Sequence, residues 1–510
     1  MRCNRRHLMA ICVWTLVLCG AFTTEALALD AAGCATLMRL SVPDTTIAPA
    51  ALVAADAELP EHCRVEGRIE TEIKFELRLP MTWNGKFYHR GGGGFVGSIP
   101  ASRAGLARGY ATVGTDTGHQ ATMFDGSWAL GRPDRQVNFG HRSVHVVTVA
   151  AKRIVEAAYG RRPEHSYFEG CSNGGRQGTL EAQRYPEDLH GIIAGAPALD
   201  WSGMVIGWNG NQQALKSTPI PPETLAAIAK GVVSQCDAAD GLVDGLVDNP
   251  RSCAFDAKKL MCSGGDGPAC LTPAQVQTYE QISIGPRRSN GEPLFAGFPP
   301  GAEEGRTAGQ LWISGPRPAD GNGSDGIPLQ FTVQDHFLKF FLFSNPGYNS
   351  LGFSFDTDAP IVEATDAVFA ATDPDLRRFQ RAGGKLIMWH GWADPALTAD
   401  GTVRYYEDVV RTLGKRESVE GFFRLFLAPG MHHCGGGPGL NSFDALTALE
   451  HWVERGVVPD AIMASNDGTT GVKRTRPLCS YPAQASYVGS GDINDAKNFV
   501  CRQPRSGGQR

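Results

Sequence analysis

A serine between two glycines is the first residue whose setting indicates chemistry. Residues 170–174 read Gly-Cys-Ser-Asn-Gly, which fits the G-x-S-x-G pattern around Ser172. A strand is predicted before it at 165–169, and a helix after it at 176–184. A serine on such a turn exposes its hydroxyl, and the next amide, that of Asn173, faces the oxyanion of an acyl transfer. We predict Ser172 as a nucleophile and Asn173 as an oxyanion donor; the alternative is a glycine-rich helix entry with an idle serine.

Two candidate partners for this serine follow later strands. A serine hydroxyl attacks well only when a histidine takes its proton, and a carboxylate must orient that histidine. In folds that use this turn, the acid and the histidine follow the serine in that order. Asp394 lies just beyond a predicted buried strand at 385–390, and His432 and His433 follow the next predicted strand. We predict Asp394 as the acid, whereas position alone lets either histidine be the base.

The first 28 residues predict a secretory signal peptide. Arginines precede an apolar run at 8–21, and Ala26-Leu27-Ala28 supplies small residues before a cleavage point. The run is short for a membrane span, which needs about 20 residues, so a membrane anchor is the disfavoured alternative. We therefore expect an exported, soluble mature protein that is not bound to a membrane.

An exported protein is expected to pair its cysteines in disulfides. Three of the 13 cysteines lie in the signal peptide, and the even number that remains predicts five disulfides. If sequence neighbours pair, elimination leaves one long-range bridge; the pairs are Cys34 with Cys63, Cys236 with Cys253, Cys262 with Cys270, Cys479 with Cys501, and Cys171 with Cys434. A disulfide holds its Cα atoms about 4.4–6.8 Å apart, so the last bridge would bring the turn of Ser172 to His433. This favours His433 over His432 as the base.

Length and composition limit the function classes. The chain has 510 residues, 42% hydrophobic and 20% charged, which is typical of a globular protein too long for one compact core. Lys and Arg number 48 against 53 Asp and Glu, which gives a formal net charge of −5 with no basic block. A nucleic-acid partner is therefore not expected.

Strand-like and helix-like segments alternate on both sides of the chain's middle. Alternating apolar residues predict one antiparallel strand over 64–80. The pattern further predicts strands at 86–89, 110–113, 165–169, 192–196, 385–390 and 422–427, and helices at 144–158, 176–184, 402–412 and 443–455. Such alternation is typical of an α/β fold with a mostly parallel sheet covered on both faces. Residues 203–360 break the alternation, which predicts a lid inserted between core segments 29–202 and 361–510.

Three local patterns together resemble the tannase and feruloyl esterase family. They are the Cys-Ser pair in the glycine turn, the sequence Trp-His-Gly-x-x-Asp that ends at Asp394, and the His433-Cys434 pair. The resemblance covers nearly all of the predicted mature chain, and the family includes a bacterial mono(2-hydroxyethyl) terephthalate hydrolase. It implies an α/β-hydrolase core with a large inserted lid, a five-disulfide layout, and a small ester of an aromatic acid as substrate.

The resemblance also indicates a second oxyanion donor. Four glycines, 91–94, follow the predicted strand at 86–89, and the family takes a backbone N–H from this loop. Because glycine lets the backbone approach a substrate closely, we expect the donor to be Gly93 or an adjacent residue. The alternative is a loop whose glycines serve only its turn.

A run of carboxylates in the predicted lid suggests a calcium loop. Asp237, Asp240 and Asp244 recur at three- and four-residue spacing, and carboxylates that converge repel one another unless a hard cation neutralises them. The resemblance implies Ca²⁺ bound by these three side chains and by the carbonyls of Leu242 and Leu246. We expect a structural role for the ion; the alternative is an acidic, solvated turn.

Aromatic residues of the lid suit a pocket for an aromatic acid. Trp312 is predicted to form a wall of that pocket. Phenylalanines at helical spacing, among them Phe337 and Phe341, are predicted to lie in the lid core instead. Four arginines are candidates to bind a free carboxylate of the substrate, and the sequence does not choose among them: Arg287, Arg288, Arg306 and Arg317.

These features predict a secreted or periplasmic serine carboxylesterase that works through an acyl-enzyme. Feruloyl and other hydroxycinnamoyl esters, or galloyl esters, are the expected substrates, with a terephthalate monoester as the alternative. Two other classes would fit the same fold, namely a peptidase and a catalytically silent calcium-dependent binding protein.

Overall fold

The computed structural model describes residues 29–265, 267–303, 309–315, 327–466, 468 and 471–503. The predicted signal peptide, Arg306 and Arg317 lie outside the described residues. Among the helices within these ranges, none has both the length and the apolar composition needed to cross a bilayer.

The predicted strands and helices form, and all but one begin and end within three residues of their expected positions. The strands are β1 Thr45–Ile47, β2 Ala51–Val53, β3 His62–Ile69, β4 Ile73–Pro80, β5 Lys86–Arg90, β6 Ala111–Thr115, β7 His165–Cys171, β8 Gly191–Gly195, β9 Lys385–Gly391, β10 Phe423–Ala428, β11 Ser442–Phe443, β12 Ala461–Ser465, β13 Thr475–Cys479, β14 Gln484–Tyr487 and β15 Phe499–Arg502. The α-helices are α1 Ala31–Thr36, α2 Arg103–Ala107, α3 Pro133–Val137, α4 Ser143–Tyr159, α5 Asn173–Arg184, α6 Trp201–Ser217, α7 Pro222–Cys236, α8 Pro273–Ile284, α9 Leu329–His336, α10 Ala359–Glu363, α11 Asp366–Phe369, α12 Arg377–Arg381, α13 Ala399–Leu413, α14 Arg416–Glu420 and α15 Ala445–Arg455. Wider helical turns occupy Asn138–Arg142, Gln310–Ser314 and Phe337–Leu342.

The largest sheet is mostly parallel, as predicted. Its ten strands run in the order β1-β3-β4-β6-β5-β7-β8-β9-β10, and β2 pairs with β3. The six neighbouring strands β6, β5, β7, β8, β9 and β10 are parallel to one another. The pairs among β1, β2, β3 and β4, and the β4–β6 pair, are antiparallel. The carboxyl ends of β7, β9 and β10 therefore lie along one edge of the sheet.

The single strand predicted over 64–80 is wrong. β3 and β4 form an antiparallel hairpin in which Ile69 pairs with Ile73, and the intervening turn holds Glu70 at φ 52°. Directly paired residues of a hairpin share a face. Apolar residues therefore recur at every second position in both strands, with no break in the alternation at the turn. The turn was therefore invisible in the pattern of apolar residues.

Helices cover both faces of the parallel strands. Successive side chains of a strand point to opposite faces. Phe168 of β7 accordingly lies in an apolar cluster with Tyr406 of α13, whereas Tyr167 lies in a different cluster with Trp452 of α15. On the first face, α5 follows β7 directly and holds Ser172 at its start.

Helices α6 to α12 fill the segment between β8 and β9, whose described residues form no strand. They enclose an apolar core that includes Trp208, Phe337 and Phe341, in agreement with the prediction for the two phenylalanines. The expected lid boundaries after 202 and 360 fall inside α6 and α10. Each predicted boundary therefore cuts through a helix.

Two hydrogen bonds attach the lid to the loop after β9. Trp208 Nε1 donates to the Ala396 carbonyl at 2.8 Å, and Gln330 Nε2 donates to the Pro395 carbonyl at 2.9 Å. This loop also carries Asp394, so the lid contacts the backbone next to the predicted acid.

All five predicted disulfides form. The bridge between Cys171 and Cys434 spans 263 residues of sequence and holds the two Cα atoms 5.9 Å apart. It joins the end of β7 to the loop after β10.

Candidate active site

Ser172 occupies the turn between β7 and α5, with φ 64° and ψ −125°. Residues other than glycine rarely adopt this conformation, so the surrounding contacts must impose it. The Ser172 N–H donates to the Gly195 carbonyl at 3.0 Å, and its own carbonyl accepts from the Ala198 N–H at 3.2 Å. A Cβ atom at Gly170 would lie 2.5 Å from the backbone of Gly174, which explains the glycine before the serine.

Asp394 and His433 form a hydrogen-bonded pair beyond the ends of adjacent strands. Asp394 follows β9 and His433 follows β10, and Asp394 Oδ2 lies 2.8 Å from His433 Nδ1. The other oxygen, Oδ1, accepts from the backbone N–H groups of Ala396 and Leu397 at 2.8 and 2.9 Å. These two backbone donors fix the carboxylate so that Oδ2 faces the imidazole.

The carboxylate of Asp394 is buried, yet its charged form is favoured. Burial by itself raises the pKa of Asp394, but His433 and His390 lower it by more, so the net pKa lies well below its usual value. His390 Nε2 lies 3.2 Å from Oδ2, and His390 Nδ1 lies 2.7 Å from Thr402 Oγ1. Sequence reasoning missed this second imidazole contact, because no local pattern marks it.

Ser172 and His433 line the same cavity, which has a volume of about 190 Å³. The Cys171 to Cys434 bridge links the residues next to them. Among the hydrogen bonds of the described residues, none joins Ser172 Oγ to His433. Ser172 and His433 therefore border one cavity without a hydrogen bond between them.

His432 lies on a different side of the same loop. It lines a larger cavity of about 710 Å³ together with Leu246 and Trp392. Burial lowers the pKa of His432 to about 4. Of the two candidate bases, the structure places His433 beside Ser172.

The two predicted oxyanion donors border the cavity of Ser172. Asn173 is the first residue of α5, where backbone N–H groups have no acceptor within the helix. Its side chain donates to the Gly92 carbonyl at 3.2 Å and so joins the helix start to the glycine loop. Within the described part of the chain, neither the Asn173 N–H nor the Gly93 N–H has an acceptor. The two amides are free to bind an anion.

Apolar side chains form the rest of the cavity wall. Trp312, the predicted wall residue, meets His433 edge to face, with ring centroids 5.0 Å apart and planes at 76°. The other large apolar side chains are Met123, Phe124, Trp201, Met204, Trp208, Val333 and Leu397. Met123 and Phe124 come from the loop after β6 rather than from the lid, and sequence reasoning missed them because no periodicity marks that loop.

Two of the four candidate arginines are used elsewhere. Arg288 lies 3.1 Å from Glu363, and Arg287 donates to the Gly291 carbonyl at 2.8 Å. Neither is among the described residues that line the cavity.

The predicted calcium loop makes hydrogen bonds within itself. Asp237 accepts from the N–H groups of Asp244 and Gly245 at 3.1 and 2.9 Å. Asp240 accepts from the Leu242 N–H at 2.8 Å. Asp244 in turn accepts from the Leu246 N–H at 3.1 Å, so each predicted ligand belongs to one folded turn.

Negative charge accumulates at this loop. Burial raises the pKa of Asp248 to about 7; Arg476 opposes the shift, and Asp240 and Asp244 add to it. The donors are all oxygens, which Ca²⁺ prefers, but among the described residues Asp237, Asp240 and Asp244 do not form a group whose carboxylate oxygens all lie within 4.8 Å of one another, so calcium stays a prediction. Arg476 donates to Asp244 and supplies part of the neutralising charge.

A second group of ligand atoms lies on α4, α5 and the loop that follows α5. The side chains of His145, Glu181 and Asp188 offer atoms within 4.8 Å of one another. His145 Nδ1 lies 2.6 Å from Asp188 Oδ2, and Lys152 Nζ donates to the Asp188 carbonyl. The His145 and Asp188 ligand atoms already contact each other, and we assign no metal to this group.

The chain is similar to known proteins over most of its length. Residues 57–502 match the family described as tannase and feruloyl esterase. The chain belongs to the tannase and feruloyl esterase family. The mono(2-hydroxyethyl) terephthalate hydrolase of Piscinibacter sakaiensis is 37% identical, over 88% of this chain and 86% of that protein. A probable feruloyl esterase of Arthroderma benhamiae is 34% identical, over 83% and 81%.

A solved structure of the tannase and feruloyl esterase family has the same fold. The crystal structure of feruloyl esterase B from Aspergillus oryzae matches with a TM-score of 0.81 and 27% identity, over 92% of this chain and 99% of that one. This confirms the predicted α/β-hydrolase core. Family membership likewise confirms that the protein is a carboxylic ester hydrolase.

Proposed function

We propose that Ser172, His433 and Asp394 form the catalytic triad of a serine carboxylesterase. The observation that carries the proposal is the 2.8 Å contact between His433 and Asp394 at the cavity that Ser172 also lines. With Nδ1–H bonded to the carboxylate, His433 keeps Nε2 unprotonated and able to accept the serine proton.

The reaction follows from these positions. Ser172 Oγ attacks the ester carbonyl carbon as its proton passes to His433 Nε2, and the Asn173 and Gly93 N–H groups bind the oxyanion. The alcohol leaves with the proton from His433, which creates an acyl-enzyme on Ser172. Water then attacks the acyl group, again with His433 as the base, and the acid is released. In this proposal the hydrogen bond between Ser172 and His433 forms when substrate fills the cavity, since catalytic hydrogen bonds are often long or poorly aligned before substrate binds.

The acyl group of the substrate is aromatic in this proposal. A cavity walled by Trp312, Phe124 and neighbouring apolar side chains suits a flat ring. Feruloyl and other hydroxycinnamoyl esters, or galloyl esters, are the first candidates. The relative named as a terephthalate monoester hydrolase makes that ester the second candidate.

Calcium and export complete the proposal. Asp237, Asp240 and Asp244, with the carbonyls of Leu242 and Leu246, would hold Ca²⁺ in a structural role. Leu246 packs in one apolar cluster with Met431, so the ion would stabilise a turn that supports the histidine loop. Five disulfides favour an oxidising compartment, either extracellular or periplasmic.

A substrate panel tests the esterase proposal. Purified protein and its Ser172→Ala variant are compared on methyl ferulate, methyl gallate and a terephthalate monoester, with a peptide amide as a further substrate. We expect turnover of at least one ester by the unmodified protein and none by the variant. Equal turnover by both proteins, or cleavage of the amide alone, would contradict the proposal.

Calcium is tested by thermal unfolding in excess Ca²⁺ and in excess chelator. A ligand that binds only the folded state raises its stability, so we expect a higher Tm with Ca²⁺. The Asp237→Asn variant should lose this response, whereas Asp256→Asn, which alters a helix cap outside the loop, should keep it. An identical Tm with Ca²⁺ and with chelator would exclude the site.

A further inference from the structure

The loop that carries Gly93 rests on a neighbouring backbone segment. Its residues Gly94, Val96 and Gly97 have φ angles of 54°, 55° and 77°, which extended loops do not adopt. A Cβ atom at Gly94 would lie 2.2 Å from the Met123 carbonyl oxygen. The loop therefore packs against the segment after β6, and its conformation depends on that segment as well as on its own residues.

Phe95 is held at both of its backbone groups. Its N–H donates to the Met123 carbonyl at 2.7 Å, and its carbonyl lies 2.9 Å from His119 Nε2. The next residue, Val96, donates its N–H to the Gly93 carbonyl at 3.0 Å. The Phe95 carbonyl and the Val96 N–H belong to one peptide group, so His119 holds the peptide that in turn binds the Gly93 carbonyl.

His119 is itself firmly placed. It is 3% exposed and stacks on Trp128, with ring centroids 3.6 Å apart and planes at 17°. Asp116 Oδ1 accepts the Gly118 N–H at 2.9 Å and the Lys74 N–H at 3.0 Å, which sets the turn before His119. Burial lowers the pKa of His119 to about 4, so the ring is neutral at neutral pH and bonds to the Phe95 carbonyl with the proton on Nε2.

We infer that His119 is a positioning residue for the oxyanion hole: through the Phe95 carbonyl, its Nε2–H keeps the Gly93 amide directed at the developing negative charge. The inference rests on the proposed function, in which Gly93 is an oxyanion donor. An interaction that acts only on the oxyanion changes kcat rather than KM. His119 is not among the described residues that line the cavity, and its contacts are with Phe95, Trp128 and Phe139.

Paired substitutions separate the hydrogen bond from the packing. His119→Phe keeps a ring over Trp128 but has no donor, whereas His119→Gln offers an amide donor in place of Nε2–H. Loss of a direct oxyanion donor costs about 10²–10³ in kcat, so misdirection of one donor should cost about 10-fold. We expect this loss in His119→Phe at nearly unchanged KM, with much of kcat recovered in His119→Gln.

His62→Phe is a matched control. His62 is also buried, and its Nδ1 also lies 2.9 Å from a backbone carbonyl, that of Pro60, but it does not border the cavity. This variant should keep the original kcat. If His119→Phe does not fold, His119→Leu, which is similar in volume to histidine, provides the donor-free comparison.

Two results would overturn the inference. One is an unchanged kcat in the folded, donor-free variant. The other is an equal loss in His119→Phe and His119→Gln that follows the drop in Tm, which would mark a purely structural role. Ser172→Ala measured alongside separates the two proposals, because failure of the esterase proposal leaves that variant active, whereas failure of this inference alone leaves it inactive.

Discussion

Replacement of Asp394 by asparagine should change the two contacts of Oδ2, with His433 and His390, and preserve those of Oδ1. Oδ1 accepts from two backbone N–H groups, of Ala396 and Leu397, and the single oxygen of asparagine can keep both bonds. The amide nitrogen then takes the place of Oδ2, 2.8 Å from His433 Nδ1. A donor there forces His433 to accept at Nδ1 and to carry its proton on Nε2, where it cannot take the serine proton.

The size of the effect follows from the tautomer. In Ser-His-Asp enzymes the same change lowers kcat by about 10⁴, which corresponds to about 5.5 kcal/mol at about 1.4 kcal/mol per decade. KM should change little, because Asp394 does not line the cavity. Stability should fall as well: the pKa of Asp394 is lowered in the fold, so its charge stabilises the protein above its unfolded-state pKa and the variant lacks that contribution.

Steady-state kinetics on the best ester of the panel would test this at pH 7. Asp335→Asn is the matched control, since Asp335 is also buried and accepts a hydrogen bond from Ser350 at 2.6 Å. We expect the control to keep kcat within about threefold, because it leaves the triad intact. A folded Asp394→Asn enzyme with kcat within about 10-fold of the original, far short of the loss expected for a wrong tautomer, would refute the reasoning.

Three further outcomes follow from the structure. Trp312→Ala should lower kcat/KM about 3- to 10-fold, since an aromatic pair contributes about 0.5–1.5 kcal/mol. Trp312→Phe should retain most of the activity. An alanine variant as active as the original protein would show that the ring contact with His433 does not contribute to activity. The double variant Cys171→Ala, Cys434→Ala should lose more turnover than Tm, because the bridge lies beside the nucleophile and the base; unchanged turnover would count against that role. Burial raises the pKa of Asp116 to about 6, against the opposing effect of backbone N–H groups, so the folded state holds this proton more tightly and stability should fall as the pH rises from about 4 to about 6. Asp116→Asn should remove this change in the free energy of unfolding, which amounts to at most about 3 kcal/mol. Urea titrations at several pH values would measure it, and the same pH dependence in both proteins would contradict the reasoning.

The residues of the site could be predicted where local pattern and strand order determine them. Ser172 lies in a five-residue pattern between a strand and a helix, and both neighbours are legible from the sequence. Asp394 and His433 follow strands that proved to be adjacent and parallel. The choice of His433 over His432 needed one long-range fact, the bridge between Cys171 and Cys434.

The contacts that arise from tertiary packing could not be predicted. Met123 and Phe124 line the cavity although their loop has no periodicity, because the neighbouring glycine loop brings the backbone together at Gly94. The contact of His390 with Asp394 likewise depends on how the chain turns after β9. The hairpin at Glu70 was missed because apolar alternation continues unchanged through a turn whose flanking residues pair directly.

The most direct measurement is the site of covalent labelling by a fluorophosphonate probe, located by mass spectrometry of peptides from the folded protein. Attack by an activated serine predicts one adduct, on Ser172, that is absent from Ser172→Ala and strongly slowed in Asp394→Asn. Folded protein that hydrolyses an ester yet carries no adduct on Ser172, or carries it on another serine, would contradict the proposed chemistry.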